Sequence, residues 1–290
     1  ILRNNLYSQM RDQASSLYTL FSTAIVFVQV MIPAMILNMI YKNRTNIDAS
    51  RKRNRGVLLS FLVIILSLTI MSDDHGKTIV LVAAIFITLM HTYSKEMKKW
   101  IPIFIIGGTT GALFLLLVKA GVFLGRTNGL STFARILNTY FAGIPNVAVG
   151  LTVEYTDKLS TLFGDFFRSI PLAAHFFVDM PRSQELFNYA YHGISGYSNE
   201  IMPTICYGYQ YLGFLAPVLT IVIYNVCFKI EEKFLRSEKM FNKAIYAYLL
   251  VYFAICPFMY MFTSFLTMWW YSLIFMIIIR SNAEKGGGYR

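Results

Sequence analysis

The sequence is short of charge. Asp, Glu, Lys and Arg make up 14% of its 290 residues, against about 25% in a soluble domain. Acids are the scarcer sign, with 15 Asp and Glu against 26 Lys and Arg. Cysteine is limited to Cys206, Cys227 and Cys256, each in or beside an apolar run. Their spacing excludes a disulfide framework and a thiolate metal site, and leaves packing as their use. The chain also lacks His-x-x-Glu-His, Asp-x-Asp, a Walker loop and a dinucleotide fingerprint, so nothing points to a soluble nucleotide or a tightly held metal, and no cofactor is expected.

Long apolar runs take the place of charge. Hydrophobic residues make up 56% and aromatics 16% of the chain, with a mean hydropathy of +0.52. Runs of this length and number make the chain an all-α polytopic membrane protein, since only helices satisfy every backbone group inside lipid without closing a barrel. Candidate spans cover about 18–41, 57–72, 78–93, 101–118, 203–228, 244–262 and 265–279, about seven in all at the usual ~20 residues per crossing. Together, 1–290 reads as a single transmembrane domain.

The net charge of +11 is unevenly placed. Short loops hold Lys42, Arg44, Arg51, Lys52, Arg53 and Arg55, then Lys95, Lys98 and Lys99, then Lys229, Lys233, Arg236, Lys239 and Lys243, and finally Arg280, Lys285 and Arg290. These loops carry the whole excess, and the remaining segments balance to zero. That is the positive-inside pattern and not a nucleic-acid stripe, so no nucleic acid is expected as partner and the C-terminus is expected in the cytoplasm. With about seven spans, Ile1 would then lie outside, without a signal peptide; earlier spans are therefore expected, and the chain reads as the C-terminal part of a longer protein.

Residues 119–202 form the expected large extracytoplasmic loop. It is not hydrophilic. Ser131 is placed to cap a helix through Phe133, Ile136, Leu137, Tyr140 and Phe141, and Leu162, Phe163, Phe166, Phe167 and Ile170 repeat the helical spacing with Asp165 and Arg168 on another face. Both stretches suit amphipathic or re-entrant helices at the membrane surface.

The same loop, with the polar corner Asp73-Asp74-His75-Gly76-Lys77, holds the outer charges. Lys77, Arg126, Arg135, Arg168 and Arg182 run against the topogenic bias, so an anion or a set of acids must compensate them. Phosphate is one such partner, because the arginine fork matches its oxygens. Pairing with Glu154, Asp157, Asp165, Asp179 and Glu185, or with lipid headgroups, is the other. His192 and Glu200 precede the run at 203–228 and are the candidate general bases, against the plainer reading of interfacial side chains with no task. Tyr140, Phe141, Tyr189, Tyr191 and Tyr197 are candidates for stacking on sugar rings, or for packing the loop onto the membrane.

Ser198-Asn199-Glu200-Ile201-Met202-Pro203-Thr204, followed by Gly208-Tyr209-Gln210-Tyr211-Leu212-Gly213-Phe214, resembles the end of the large outer loop and the next helix in Wzy-type polysaccharide polymerases. These are the oligosaccharide repeat-unit polymerases of O-antigen and capsule pathways. The order of elements is similar too: a helix hairpin with a tight polar outer corner, a basic loop, another span and an arginine-bearing outer loop. The resemblance implies a C-type glycosyltransferase-like fold and a metal-independent membrane glycosyltransferase that joins repeat units carried on polyprenyl pyrophosphate at the outer face of the cell membrane. It implies that Arg126, Arg135, Arg168 and Arg182 hold the pyrophosphate, with Lys77 where the family often carries arginine. Related O-antigen ligases place a histidine before the corresponding helix; Ser198 stands there in this chain, which leaves His192 or Glu200 as catalytic base. Partners implied are the polyprenyl-pyrophosphate-linked glycan and membrane lipid, with a chain-length regulator and a flippase as associated proteins.

Three other functions compete. A ligase would pass glycan to another acceptor from the same fold. A flippase or other non-enzymatic transporter should place charges within the spans, near the midplane. A membrane acyltransferase should show an intramembrane histidine, and none is well placed.

Overall fold

A computed structural model describes residues 16–42, 75–94, 144–154, 157–171, 173–177, 179–193, 200–259 and 261–284, with scattered positions between 98 and 137. Its helices are α1 (Ser16–Lys42), α2 (His75–Thr92), α3 (Ile144–Thr152), α4 (Lys158–Ser169), α5 (Ser183–His192), α6 (Thr204–Leu212), α7 (Pro217–Arg236), α8 (Met240–Met259) and α9 (Phe262–Glu284). Short 3-10 turns at Ala174–Phe177 and Gly213–Leu215 complete the set, and no strand occurs among the described residues.

Thr23–Lys42, Met240–Pro257 and Phe262–Asn282 are long and apolar enough to cross a membrane. The 23 residues of α9 rise about 34 Å at ~1.5 Å per residue, against a hydrocarbon core of about 30 Å. The apolar part of α2, Ile79–Thr92, is shorter. The described residues are thus those of a helical membrane protein, with three helices able to span by length and composition. The expected runs at 57–72 and 101–118, and the helix expected from Ser131, fall wholly or largely outside the described residues.

One expected span is corrected. The run 203–228 is not a straight crossing but two helices, Thr204–Leu215 and Pro217–Arg236, bent by 116°. Gly213 sits at the corner with φ 59 and ψ −128, a conformation that side-chain-bearing residues rarely take. Pro217 then opens α7, where its missing N–H costs nothing. Counting the bent pair as one broken span raises the number to four.

The spans form a bundle around α8, which packs against α7, α2, α1 and α9. Its core is apolar and aromatic: Phe27 meets Tyr271 at 5.3 Å and Phe275 at 4.9 Å, and Phe253 meets Phe265 at 5.3 Å. Such contacts, rather than expulsion of water, hold helices together in lipid. Hydroxyls inside the helices bond back to their own turn, as Thr88 does to the Ala84 carbonyl at 2.7 Å and Ser272 to that of Trp269 at 2.7 Å.

A smaller layer, made of α3 to α6, has its own core of Val153, Phe187, Met202, Cys206 and Tyr207. It rests on the end of the bundle where α8 turns into α9: Tyr207 meets Phe262 at 4.6 Å and Phe166 meets Trp270 at 5.8 Å. The opposite end carries Lys233, Arg236, Lys239 and Lys243, where α7 turns into α8. There Lys243 Nζ lies 3.1 Å from His91 Nδ1, and Lys239 Nζ donates to the Asn282 carbonyl at 2.8 Å.

Candidate functional site: a buried charged layer at one end of the bundle

All the buried charged side chains among the described residues belong to the layer: Asp165, Arg168 and Glu200. The bundle's buried polar residues, Thr23, Thr88, Asn242 and Ser272, are neutral. The layer's construction explains how charge is tolerated there.

Helix α4 begins at Asp157, whose side chain caps it by accepting from Ser160 N at 3.0 Å. Its faces are then inverted relative to a soluble helix. Thr161, Gly164, Asp165, Arg168 and Ser169 are buried, while Leu159, Phe163 and Phe166 are exposed. An apolar outer face suits lipid, and the polar face turns inward against α5. The contact is close: a Cβ on Gly164 would overlap the Pro181 carbonyl oxygen.

Asp165 meets α5 at its first turn. Arg182 is the N-cap residue of α5 but makes no side-chain cap bond. Asp165 supplies it instead from the neighbouring helix. Its Oδ1 accepts from Ser183 N at 3.1 Å, and the Ser183 hydroxyl donates to Oδ2. This satisfies an otherwise orphaned N–H and sets an anion at a helix N-terminus. Burial still dominates and pushes the Asp165 carboxyl up to about 6, while the hydrogen bonds from Ser183, the nearby Tyr207 side chain and the positive charge of Arg182 pull the other way. The Ser183 hydroxyl lies a further 3.4 Å from that of Tyr211.

Arg168 points into the layer, with its side chain only 4% exposed. Nη1 donates to the Met180 carbonyl at 2.8 Å and lies 3.5 Å from the half-exposed Glu185 carboxylate. Arg182 is half-buried beside Asp165. Arg126 and Arg135 lie outside the described residues, as does the side chain of Lys77.

Glu200 is held by two buried asparagines. Its backbone N–H donates to Asn188 Oδ1 at 2.9 Å, and its carbonyl accepts from Asn188 Nδ2 at 3.1 Å. Asn146 Nδ2 donates to the Ile201 carbonyl at 2.9 Å and lies 3.4 Å from Glu200 Oε2. The segment before Pro203 is therefore a defined turn, pinned to α3 and α5. His192 ends α5, half-buried, with its ring 5.0 Å from that of Tyr191. Farther along, Gln210 donates to the Gly150 carbonyl at 3.1 Å, and Lys158 donates to that of Gln210 at 3.1 Å.

A narrow cleft opens between the layer and the α8–α9 turn, lined by Ser183, Gln184, Met202, Tyr207, Met261, Phe262 and Thr263. Its free space is about 10 Å³, on the order of one water molecule. Among the described residues no three His, Cys, Asp or Glu side chains converge as metal ligands would.

The layer therefore brings Arg168, Arg182 and Glu200 into one unit, as nearby parts of an element rather than as a ring around an open cavity. The sequence marks Asp165 as a counter-charge and assigns no task to Asn146, Asn188 or Ser183. The available signal was small polar residues within apolar stretches, which lipid tolerates only where each finds a partner. No protein family, curated protein or solved structure matches the chain.

Proposed function

We propose that the chain polymerises polyprenyl-pyrophosphate-linked oligosaccharide repeat units, as a metal-independent glycosyltransferase at the outer face of the cytoplasmic membrane. The observation that supports this best is the segregation of charge. Every buried charge described lies in the layer at one end of the bundle, and the bundle interior is neutral. A flippase or transporter needs polar groups along a path through the membrane. Chemistry on a lipid headgroup needs them at the interface.

On this reading the layer faces outward and the basic end faces the cytoplasm, in keeping with the positive-inside bias. The lipid pyrophosphate lies beside Arg182, with Arg126, Arg135 and Lys77 as further cations. Arg168 acts as a support for α5. The leaving pyrophosphate gains negative charge as its bond to the sugar breaks, and fixed cations stabilise it. His192 and Glu200 lie where the loop returns to the membrane and would orient the acceptor glycan.

Deletion and complementation test the function, with product length read on a gel. Loss of a polymerase leaves single repeat units. Loss of a ligase leaves unattached polymer, and loss of a flippase leaves no glycan outside; either result would reject the proposal. Orientation is tested separately by cysteine labelling in whole cells. Glu185→Cys and Tyr189→Cys, both at exposed positions, should react with an impermeant reagent, and Lys239→Cys should not.

A further inference from the structure

Resting on the polymerase reading, we infer that Asp165, acting through the Ser183 hydroxyl, takes the proton of the acceptor sugar hydroxyl in the cleft between α5, α6 and the α8–α9 turn. A helix cap needs one carboxylate oxygen, and Oδ1 fills that role by accepting from Ser183 N. The second oxygen, Oδ2, is bound to the Ser183 hydroxyl. Ser183 is also one of the cleft-lining residues, with Tyr207 beside it. Ser183 thus both borders the cleft and binds the carboxylate, while Asp165 itself is only 1% exposed. Neither Glu200 nor His192 lines this cleft.

The charged and titratable surroundings favour the task. Arg182, at the N-cap of α5, brings positive charge to the carboxyl, and the Tyr207 side chain of α6 lies close to it. Tyr211, also of α6, sits beyond Ser183. Arg168, on the same helix as Asp165, is engaged with the Met180 carbonyl and Glu185. With its carboxyl raised to about 6, Asp165 is ionised at neutral pH yet more basic than an exposed aspartate. The cleft's space of about 10 Å³ is the size of a hydroxyl group and leaves the sugar ring outside.

The transfer balances. The acceptor hydroxyl passes its proton to Ser183 Oγ as Ser183 passes its own to Asp165 Oδ2. The acceptor oxygen bonds to the anomeric carbon of the donor. The bond from that carbon to the pyrophosphate oxygen breaks, and its electron pair leaves with the phosphate beside Arg182. Asp165, now a carboxylic acid, returns its proton through Ser183 to water.

The test uses the full chain in lipid nanodiscs with a lipid-linked repeat unit, following glycosidic bond formation against pH. The wild type should show a rate that rises with pH around a midpoint near 6. Asp165→Asn keeps an oxygen for the Ser183 N–H, so it should melt close to the wild type. Its kcat should fall about 100-fold, the lower range for loss of a general base, with KM little changed and the acidic limb gone. Ser183→Ala, which keeps the backbone cap, should lose kcat similarly, and Ser183→Thr should restore part of it. If Asp165→Asn fails to fold, Ser183→Ala decides. Unchanged kcat and pH profile in the folded variant would overturn the inference while leaving the polymerase reading standing. No polymer from the wild type would overturn that reading, and the inference with it.

Discussion

Phe253 of α8 and Asn188 of α5 are both fully buried, but different forces hold them. Phe253 meets Phe265 edge to face at 5.3 Å, within a core of apolar and aromatic side chains. Asn188 makes hydrogen bonds to the backbone of Gln184 and to both backbone groups of Glu200. The bundle distributes its stability over many weak contacts, none of them decisive. The layer concentrates its stability in a few polar contacts with no substitutes, because a buried group left unpaired costs its full desolvation. The bundle is therefore expected to tolerate change and the layer to resist it.

The sharpest break in that contrast would come at Asn188. Asn188→Ala strips partners from the buried Glu200 N–H and C=O, at about 1–3 kcal/mol for each. A large drop in melting temperature in detergent, with loss of activity, is expected; a wild-type melt would show that water enters the layer and that its polar contacts are replaceable. Gly164→Ala comes next. The new methyl overlaps the Pro181 carbonyl, backbone that cannot step aside, and overpacking of this kind costs about 1–3 kcal/mol. Separation of α4 from α5 should also disturb the Asp165–Ser183 contact, so activity should fall with stability.

The pH dependence is subtler. The folded-state carboxyl of Asp165 titrates near 6, above its ordinary 3.8. Below 3.8 both states are protonated and its contribution is fully present. Between 3.8 and about 6 the unfolded chain releases a proton that the folded layer retains, so stability falls as pH rises. Above about 6 the contribution is lost and the curve is flat. Thermal melts from pH 4 to 7 should show this decline in the wild type, relative to Asp165→Asn, which lacks it; parallel curves would place the carboxyl in a wetter setting. Smallest of all should be Leu249→Met, at a fully buried site of the bundle, where a volume-conserving swap costs less than about 1.5 kcal/mol. A loss comparable to that of Asn188→Ala would erase the contrast between bundle and layer.

Much of the layer was illegible in one dimension. The spacing of Leu162, Phe163, Phe166 and Phe167 marks α4 as amphipathic, but not which face is covered. Lipid reverses the usual rule, and α4 buries Asp165 and Arg168 while exposing Phe163 and Phe166. The run 203–228 is apolar enough for one crossing, and composition alone carries no sign of a 116° bend; Gly213 and Pro217 supply it through backbone geometry. Arg168 and Arg182 were visible as outer cations, yet their difference in task depends on partners far along the chain, Met180 and Glu185 for one and Asp165 for the other.

The sequence by itself determined that this chain suits lipid, where α1, α2, α8 and α9 begin and end to within a few residues, and which loops are basic. Those properties are local: an apolar run must become a helix because lipid offers the backbone no other partner, and the basic residues cluster beside the runs they flank. The tertiary structure decided which faces meet. In α1, Val26, Val30, Ala34 and Leu37 are buried and Ile25, Val28, Ile32, Met35 and Met39 are exposed, yet both stripes are equally apolar. When solvent and core are alike in polarity, hydrophobicity cannot tell inside from outside. Packing shape and the pairing of a few buried polar groups must settle it, and those are relations between residues distant in the sequence.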